Sequence, residues 1–250
     1  MTALDTASLV FYPSGYKESK LYSIKPTDGT GDLTFTRAST ATRVNAQGLI
    51  EQVPYNLLIQ SNSFNNAAWV KTGVTPTGGK SGYDGSSDAW LMASTSTVGE
   101  SYQLSSNLSI STISLRVKAN ATNWIAFRIL ATNGTAWFNL STGSFATIQS
   151  AIIDTNLVDL GSGWYEISVS AATAAFIAIY VCNGNNTFTS TSGNSIYIQD
   201  AQLNSGSTAK TYFPTTDRLN IPRIDYTGGG CGSLLLESQR TNLVTYSEAG

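Results

Sequence analysis

The sequence predicts an all-β protein whose main domain is an antiparallel β-sandwich. Apolar residues recur at every second position from residue 111 onward, as in Ile113, Leu115 and Val117, and this is the spacing of a half-buried strand. Clusters of Asn, Gly and Ser interrupt such runs about every 10 residues, as turns of a sandwich do. The 22 glycines and only 6 prolines agree with short strands joined by turns.

Taken in chain order, the remaining apolar runs predict further strands of the same sandwich. They lie at 125–129, 138–140, 176–181 and 196–203. The last two are apolar or aromatic nearly throughout, which predicts strands that are buried more completely than the others. No stretch of about 15 residues combines helical spacing with capping residues, so no long helix is expected.

Composition excludes several classes of function. The 14 Lys and Arg residues are outnumbered by 16 Asp and Glu residues, and a pI of about 5.1 leaves no broad basic surface for nucleic acid. The absence of histidine removes the commonest general base and metal ligand. Cys182 and Cys231 are too few for a zinc cluster and are expected to be buried, reduced thiols. The string at 73–81 would need a glycine where Val74 stands to bind phosphate, so it is expected to be a flexible turn.

The two ends of the chain differ in amino-acid composition from its middle. The start lacks a basic leader, and no segment reaches the roughly 18 apolar residues of a membrane span, so we expect synthesis in a reducing cytoplasm without membrane insertion. Residues 217–241 resemble 1–55 in composition. The string at 56–62 matches 242–248 at its first two residues and at a serine, which makes 242–250 a candidate start of a second copy of the middle domain.

The middle of the chain carries several strings in the order found in one family of domains. They are Asn56-Leu57, Trp69 and the segments 114–119, 136–143, 161–165, 196–203 and 212–216. Through these segments, the stretch 56–216 as a whole resembles the carbohydrate-binding-module-like jelly-roll domains of bacteriophage tail and head fibre proteins. The sequence departs from that pattern at Asn204, where an acidic residue is more usual.

The flanks resemble the amino-terminal regions of the same kind of virion protein. The strings at 21–29, 35–45 and 48–51 carry this likeness, and those at 221–226 and 233–237 resemble its usual continuation. The resemblance implies a jelly roll at 56–216 inserted into a smaller β-rich segment, formed by 1–55 plus 217–241, that attaches to the particle. Insertion between neighbouring entry and exit points is physically easy. The resemblance also implies a virion location after assembly in the host cytoplasm, with other virion proteins as partners and a homotrimeric state.

Strand parity identifies a candidate glycan-binding face on the jelly roll. Residues two apart share one face of a strand, so the side chains between the apolar ones point away from the core. On this reasoning one polar sheet face carries two indoles beside hydrogen-bonding groups, which suits contact with sugar rings. The predicted glycan-binding residues are Arg116, Trp124, Arg128, Trp137, Asn139 and Glu166. The alternative is that these aromatic residues belong to the core or to subunit contacts.

The sequence therefore leads to a non-enzymatic adhesion protein that needs no cofactor and whose ligand is a host cell-surface glycan. One alternative is a structural spacer or decoration protein of the virion. The other is a polysaccharide depolymerase, which needs paired carboxylates among Asp154, Asp159, Glu166 and Asp200. Jelly-roll modules often hold a structural calcium, for which Asp200 is the natural carboxylate; its further ligands stay open.

Overall fold

The computed structural model describes residues 2–17, 20–35, 41–53, 55–130, 133–216 and 222–236. The chain divides into two compact units, one formed by Met1–Pro54 with Asn220–Gly250 and the other by Tyr55–Leu219. The sequence predicts the boundaries between the two units at 55/56 and 216/217. The candidate second copy at 242–250 lies outside the described residues.

Regular structure is almost entirely β, as predicted. The described helix α1 is the four-residue segment Ala3–Thr6, and none of the described residues form a helix long and apolar enough to cross a membrane. The strands are β1 (Val10–Lys17), β2 (Lys20–Lys25), β3 (Leu33–Thr34), β4 (Thr42–Val44), β5 (Ile50–Gln52), β6 (Val70–Thr72), β7 (Val74–Lys80), β8 (Ala89–Ser94), β9 (Gly99–Leu108), β10 (Ser111–Ala119), β11 (Trp124–Leu130), β12 (Gly134–Asn139), β13 (Ser144–Ile148), β14 (Ile152–Gly161), β15 (Trp164–Ala171), β16 (Ala174–Cys182), β17 (Ser195–Ser205), β18 (Ile224–Asp225) and β19 (Ser233–Leu234).

The unit Tyr55–Leu219 is a jelly roll of two antiparallel sheets. The first sheet has the strand order β14-β15-β10-β17-β8-β7, and the second has the order β13-β12-β11-β16-β9-β6. The chain changes sheet at each step from β8 to β11 and again from β15 to β17. It thereby sets β8-β17-β10-β15 against β9-β16-β11-β12, which is the connectivity of a jelly roll. The predicted all-β sandwich is confirmed.

The core lies between the two sheets and uses the alternating residues that the sequence identifies. Ile113, Leu115 and Val117 of β10 are buried in the same cluster as the alternating residues of β11, from Ile125 to Ile129. Strands β16 and β17 are buried over most of their length, as predicted, although buried polar side chains such as Gln199 and Gln202 interrupt the apolar run of β17. Local alternation therefore decides which side chains point inward on each strand.

The outer face of the first sheet is covered by the chain itself. Segment 206–216 crosses this face, and polar side chains of the sheet hold its backbone. Gln202 Nε2 donates to the Lys210 carbonyl at 2.7 Å. Asn204 Nδ2 donates to the Thr208 carbonyl at 2.9 Å, and Asn204 Oδ1 accepts from the Lys210 amide at 3.1 Å. The amide of Asn204 thus supplies a donor that a carboxylate lacks, so an amide side chain suits this position.

Asn56 forms a buried joint where the chain enters the jelly roll. Its Oδ1 accepts from the backbone amides of Leu58 and Leu203, each at 3.0 Å. Its Nδ2 donates to the carbonyls of Ala201 at 2.9 Å and Phe213 at 3.1 Å. Both ends of the amide are therefore fully used between β17, the entering chain and segment 206–216.

The leaving chain lies directly against the entering chain beside this joint. The amide of Gln60 donates to the Thr216 carbonyl at 2.6 Å, and the amide of Ser61 donates to the Thr215 carbonyl at 3.1 Å. The Ser61 hydroxyl accepts from the Thr215 amide at 2.9 Å. Entry and exit are consequently side by side, the geometry that insertion of a domain requires.

The other unit draws on both ends of the chain. Strands β4 and β18 are joined because the Val44 amide donates to Asp225 Oδ2 at 2.9 Å and the Tyr226 amide donates to the Val44 carbonyl at 3.0 Å. Arg43 forms an ion pair with Glu51 at 2.8 Å across the β4–β5 hairpin. The described part of this unit consists of the three-stranded sheet β1-β2-β3 and the two-stranded sheets β4-β5 and β18-β19.

Two local predictions are wrong. The string at 73–81 is mostly strand β7, because β8 pairs with it and Gly78 leaves room for the Trp90 ring, which lies 3.1 Å from the position a Cβ would take. Cys182 is buried on β16 as expected, but Cys231 is exposed. Cys231 lies in the glycine-rich turn between β18 and β19, and none of the described strands covers it.

Asn56→Ala is expected to destabilise the jelly roll. The change leaves the amides of Leu58 and Leu203 without their buried acceptor, which costs about 3 kcal/mol of unfolding free energy. Urea unfolding of the full chain, followed by tryptophan fluorescence, measures this loss. Asn156→Ala, at an exposed position on β14, is the matched control. Equal unfolding midpoints for Asn56→Ala and the wild type would contradict the role of the joint.

Candidate functional site

The structure divides the predicted glycan-binding residues between two surfaces. Arg116 on β10 and Glu166 on β15 belong to the first sheet, whereas the other four lie on β11 and β12 of the second sheet. All six alternate with core residues, but the outer faces of the two sheets lie on opposite sides of the sandwich. The prediction of one shared face is therefore wrong, because the chain changes sheet between β10 and β11 and parity does not record that change.

Arg116 lies within a closed network on the first sheet. Its Nη2 pairs with Glu166 Oε2 at 2.9 Å, and its Nη1 donates to Asp200 Oδ2. The guanidinium lies 4.4 Å from the centre of the Tyr83 ring and 5.6 Å from that of Tyr212. Only 14% of the Arg116 side chain is exposed. Arg116 and Glu166 therefore hold covering segments of the chain on the first sheet.

Asp200 is buried beside this guanidinium, in a left-handed backbone conformation with φ of 60°. Burial raises the pKa of Asp200 to about 6, and the neighbouring Arg116 charge acts in the opposite direction. The Asp200 carboxylate forms an ion pair with Arg116. No group of three or more acidic, cysteine or histidine side chains within the described ranges could hold a metal. A calcium ion at Asp200 stays a prediction, and its other ligands remain unassigned.

The carboxylates considered for glycoside hydrolysis fall into two sets. Asp154 and Asp159 are exposed on the edge strand β14, where each accepts from a backbone amide of the same strand, at 2.9 and 2.8 Å. Glu166 and Asp200 both pair with Arg116. The first set supports local backbone structure, and the second belongs to the ion-pair network of the first sheet.

The outer face of the second sheet carries a mixed aromatic and charged surface. Arg128 on β11 lies 5.6 Å from the centre of the Phe176 ring and 5.2 Å from that of Phe188. Trp124 lies on the same face of β11 and is half-buried. Like Phe176 and Phe188, it packs against a small buried cluster that includes Ala126 and Tyr180. Trp124, Arg128, Phe176 and Phe188 are called the Arg128 surface below.

Tyr180 and Glu100 border the Arg128 surface. The Tyr180 hydroxyl donates to Glu100 Oε1 and also hydrogen-bonds with Arg128. Burial, together with the Glu100 contact, raises the pKa of Tyr180 to about 12. The phenol proton is donated to Glu100, which fixes the orientation of the hydroxyl beside Arg128.

The other two predicted residues of the second sheet have structural roles. Trp137 is only 1% exposed because Phe188 covers it, with ring centres 5.2 Å apart. Asn139 Oδ1 accepts from the amide and hydroxyl of Ser141, at 3.0 and 2.8 Å, and so closes the turn after β12. Of the six predicted residues, Trp124 and Arg128 stay candidates, because both are half-buried on the outer face of β11, where they lie four residues apart.

Sequence reasoning missed three neighbours of Arg128. Phe176 and Tyr180 lie in the apolar run of β16, where the same parity rule applies, but their burial hides the outward face. Phe188 lies in the loop between β16 and β17, and no periodic pattern marks it. Only the folded loop places this ring on the sheet.

Comparison with known proteins yields weak structural likenesses. No family model and no curated protein sequence matches the chain. A variant of a family 29 carbohydrate-binding module is similar at 8% identity and a TM-score of 0.38, with 64% of this chain and 98% of that chain covered. The baseplate tripod of bacteriophage Tuc2009 is similar at 14% identity and a TM-score of 0.32, covering 72% and 68%. The enzymatically active domain of tailspike protein 4 of bacteriophage CBA120 is similar at 16% identity and a TM-score of 0.34, covering 59% and 21%. At TM-scores this low, the likenesses establish neither a family nor a function.

The raised pKa of Asp200 predicts that the stability of the protein depends on pH. Its pKa in the folded protein, about 6, lies above the ordinary value of 3.8, so folding favours the protonated carboxyl. The resulting stabilisation is complete below the ordinary pKa and is lost as the pH rises through about 6. Between about pH 4 and about pH 7 the unfolding free energy of the wild type should fall, relative to Asp200→Asn, by on the order of 3 kcal/mol.

Urea midpoints across this pH range measure the difference. Asparagine retains the shape of the side chain and tolerates the left-handed backbone at position 200. Asp159→Asn, at an exposed position, is the control and should follow the wild type. A constant difference between the wild type and Asp200→Asn at every pH would show that Asp200 does not titrate in this range.

Proposed function

We propose that this protein is a phage virion fibre or fibre-like adaptor whose jelly roll binds a host surface glycan through the Arg128 surface. The resemblance of residues 56–216 and of both flanks to phage fibre proteins supports the virion role. The observation that carries the glycan proposal is the guanidinium of Arg128 between two half-buried aromatic rings.

The chemistry of this surface suits a sugar. Aromatic rings pack against the apolar face of a pyranose, and a guanidinium offers several N–H donors in a fixed plane to hydroxyl oxygens. Phe176 and Phe188 already restrict Arg128, so binding orders few side chains and loses little entropy. Trp124 adds a further half-buried ring on the same face.

The low charge of the chain predicts binding that responds little to salt. The net charge is −2, and the acidic neighbour Glu100 accepts from Tyr180 beside Arg128. Screening weakens contacts between exposed charges far more than stacking on aromatic rings. A neutral glycan is therefore the ligand class that we propose.

Attachment to the particle is assigned to the unit formed by both ends of the chain. Its exposed apolar side chains include Leu49, Ile50 and Leu236, at 65%, 79% and 81% exposure. Such side chains suit contact with another virion protein. A homotrimer would present three jelly rolls together, and the effective concentration of linked sites would convert weak single contacts into firm adhesion.

Substitutions on the Arg128 surface are expected to weaken glycan binding while leaving the fold intact. Trp124→Ala and Arg128→Ala each remove one contact group, and each should weaken binding about tenfold or more. Binding of the full chain to purified O-antigen and capsular polysaccharides measures the loss. Ile153→Ala and Lys80→Ala remove a similar apolar and a similar basic side chain from the first sheet and serve as matched controls.

The outcomes separate three functions. Binding that is lost in both surface variants and kept in both controls supports the glycan proposal. No binding by the wild type, even when it is made multivalent, would favour a purely structural spacer. Release of reducing ends from a bound polysaccharide would favour a depolymerase.

The oligomeric state is testable without a ligand. The full chain is expected to sediment as three copies of the 26.6 kDa subunit. Sedimentation-velocity ultracentrifugation over a range of concentrations measures this state. A single monomeric species at every concentration would contradict the trimer.

A further inference from the structure

The sheet beneath the Arg128 surface has a gap that a loop residue fills. Ala126 on β11 pairs with Trp137 on one side and with Tyr180 on the other. A small residue between two large rings leaves space above the sheet. The Phe188 ring lies over this space, with its centre 5.2 Å from that of Trp137 and 4.6 Å from that of Tyr180.

Trp137 also holds the backbone next to Phe188. Its Nε1 donates to the Thr187 carbonyl at 2.9 Å. A buried indole N–H needs an acceptor, so this bond fixes the loop as well as satisfying the side chain. Trp137 thus contacts the loop twice, through its ring and through its N–H.

The base of the same loop is held by different contacts. The Asn183 amide donates to the Thr189 carbonyl at 2.9 Å, and the Ser190 amide donates to the Thr97 carbonyl at 2.8 Å. The first bond closes the loop on itself, and the second ties it to the chain leading into β9. The Thr189 amide also donates to Thr187 Oγ1 at 3.1 Å, while the Phe188 ring contacts Trp137, Tyr180 and Arg128.

We propose that Trp137 is a positioning residue for glycan binding, acting through Phe188 on Arg128. The indole holds the loop so that the Phe188 ring stands 5.2 Å from the guanidinium, as one wall of the Arg128 surface. Trp137 itself never touches the ligand. The consequence for affinity rests on the function proposed above, whereas the control of the loop by Trp137 does not.

A double-mutant cycle tests this path. Trp137→Phe keeps an aromatic ring but removes the N–H, and should weaken binding of the best polysaccharide from the panel about fivefold. Phe188→Ala removes the wall and should weaken binding about tenfold or more. The double variant should bind as Phe188→Ala does, because Trp137 acts only through that ring. Independent, additive losses would overturn the proposal.

Trp90→Phe is the matched control. The Trp90 Nε1 likewise donates to a backbone carbonyl, that of Asn62, at 2.9 Å, but from strand β8 of the first sheet. The same indole-to-phenyl change there should leave glycan affinity unaltered. A fivefold loss in this variant too would show that the effect of Trp137→Phe is a general cost of removing an indole.

Amide hydrogen exchange supplies a readout that needs no ligand. Trp137→Phe should speed exchange at Thr187, Phe188 and Thr189, while the core strands β10 and β11 keep their wild-type rates. Unchanged exchange in the loop would overturn the positioning role, whatever the glycan results. A wild-type chain that binds no polysaccharide, but whose loop loosens in Trp137→Phe, would refute the proposed function alone.

Discussion

The buried joint at Asn56 is the constraint on which the arrangement of the jelly roll depends. One side-chain amide makes two donor and two acceptor contacts, linking the entering chain, the last strand β17 and segment 206–216. Next to it, the entering and leaving chains hydrogen-bond to each other at Gln60 and Ser61. A domain with neighbouring ends can interrupt another unit without forcing that unit apart.

The same joint helps to decide which face of the sandwich the chain itself covers. It holds segment 206–216 across the first sheet, where Gln202 and Asn204 satisfy the backbone of that segment. Arg116 is therefore mostly shielded from solvent. It forms ion pairs within the protein, and its guanidinium lies beside the Tyr83 and Tyr212 rings. The outer face of the second sheet, with Trp124 and Arg128, is where half-buried aromatic and charged groups meet.

The shape of the outer face of the second sheet depends on a small residue that lies between two large ones. Ala126 is small enough for Phe188 to lie between Trp137 and Tyr180, so a loop residue becomes part of the sheet surface. Trp137 is buried there, and both its ring and its N–H contact the loop. Close packing therefore brings residues far apart in the sequence onto one surface.

The sequence by itself determined the sandwich and the inward residues of its central strands, because alternation is a local property of a pleated chain. It did not show that the string at 73–81 forms strand β7. Only the tertiary structure decided that Arg116 and Trp124, separated by one short turn, lie on opposite sides of the sandwich. Sheet membership depends on pairing partners far along the chain, and the coverage of a face depends on loops such as the one carrying Phe188. Neither leaves a periodic pattern in the local sequence.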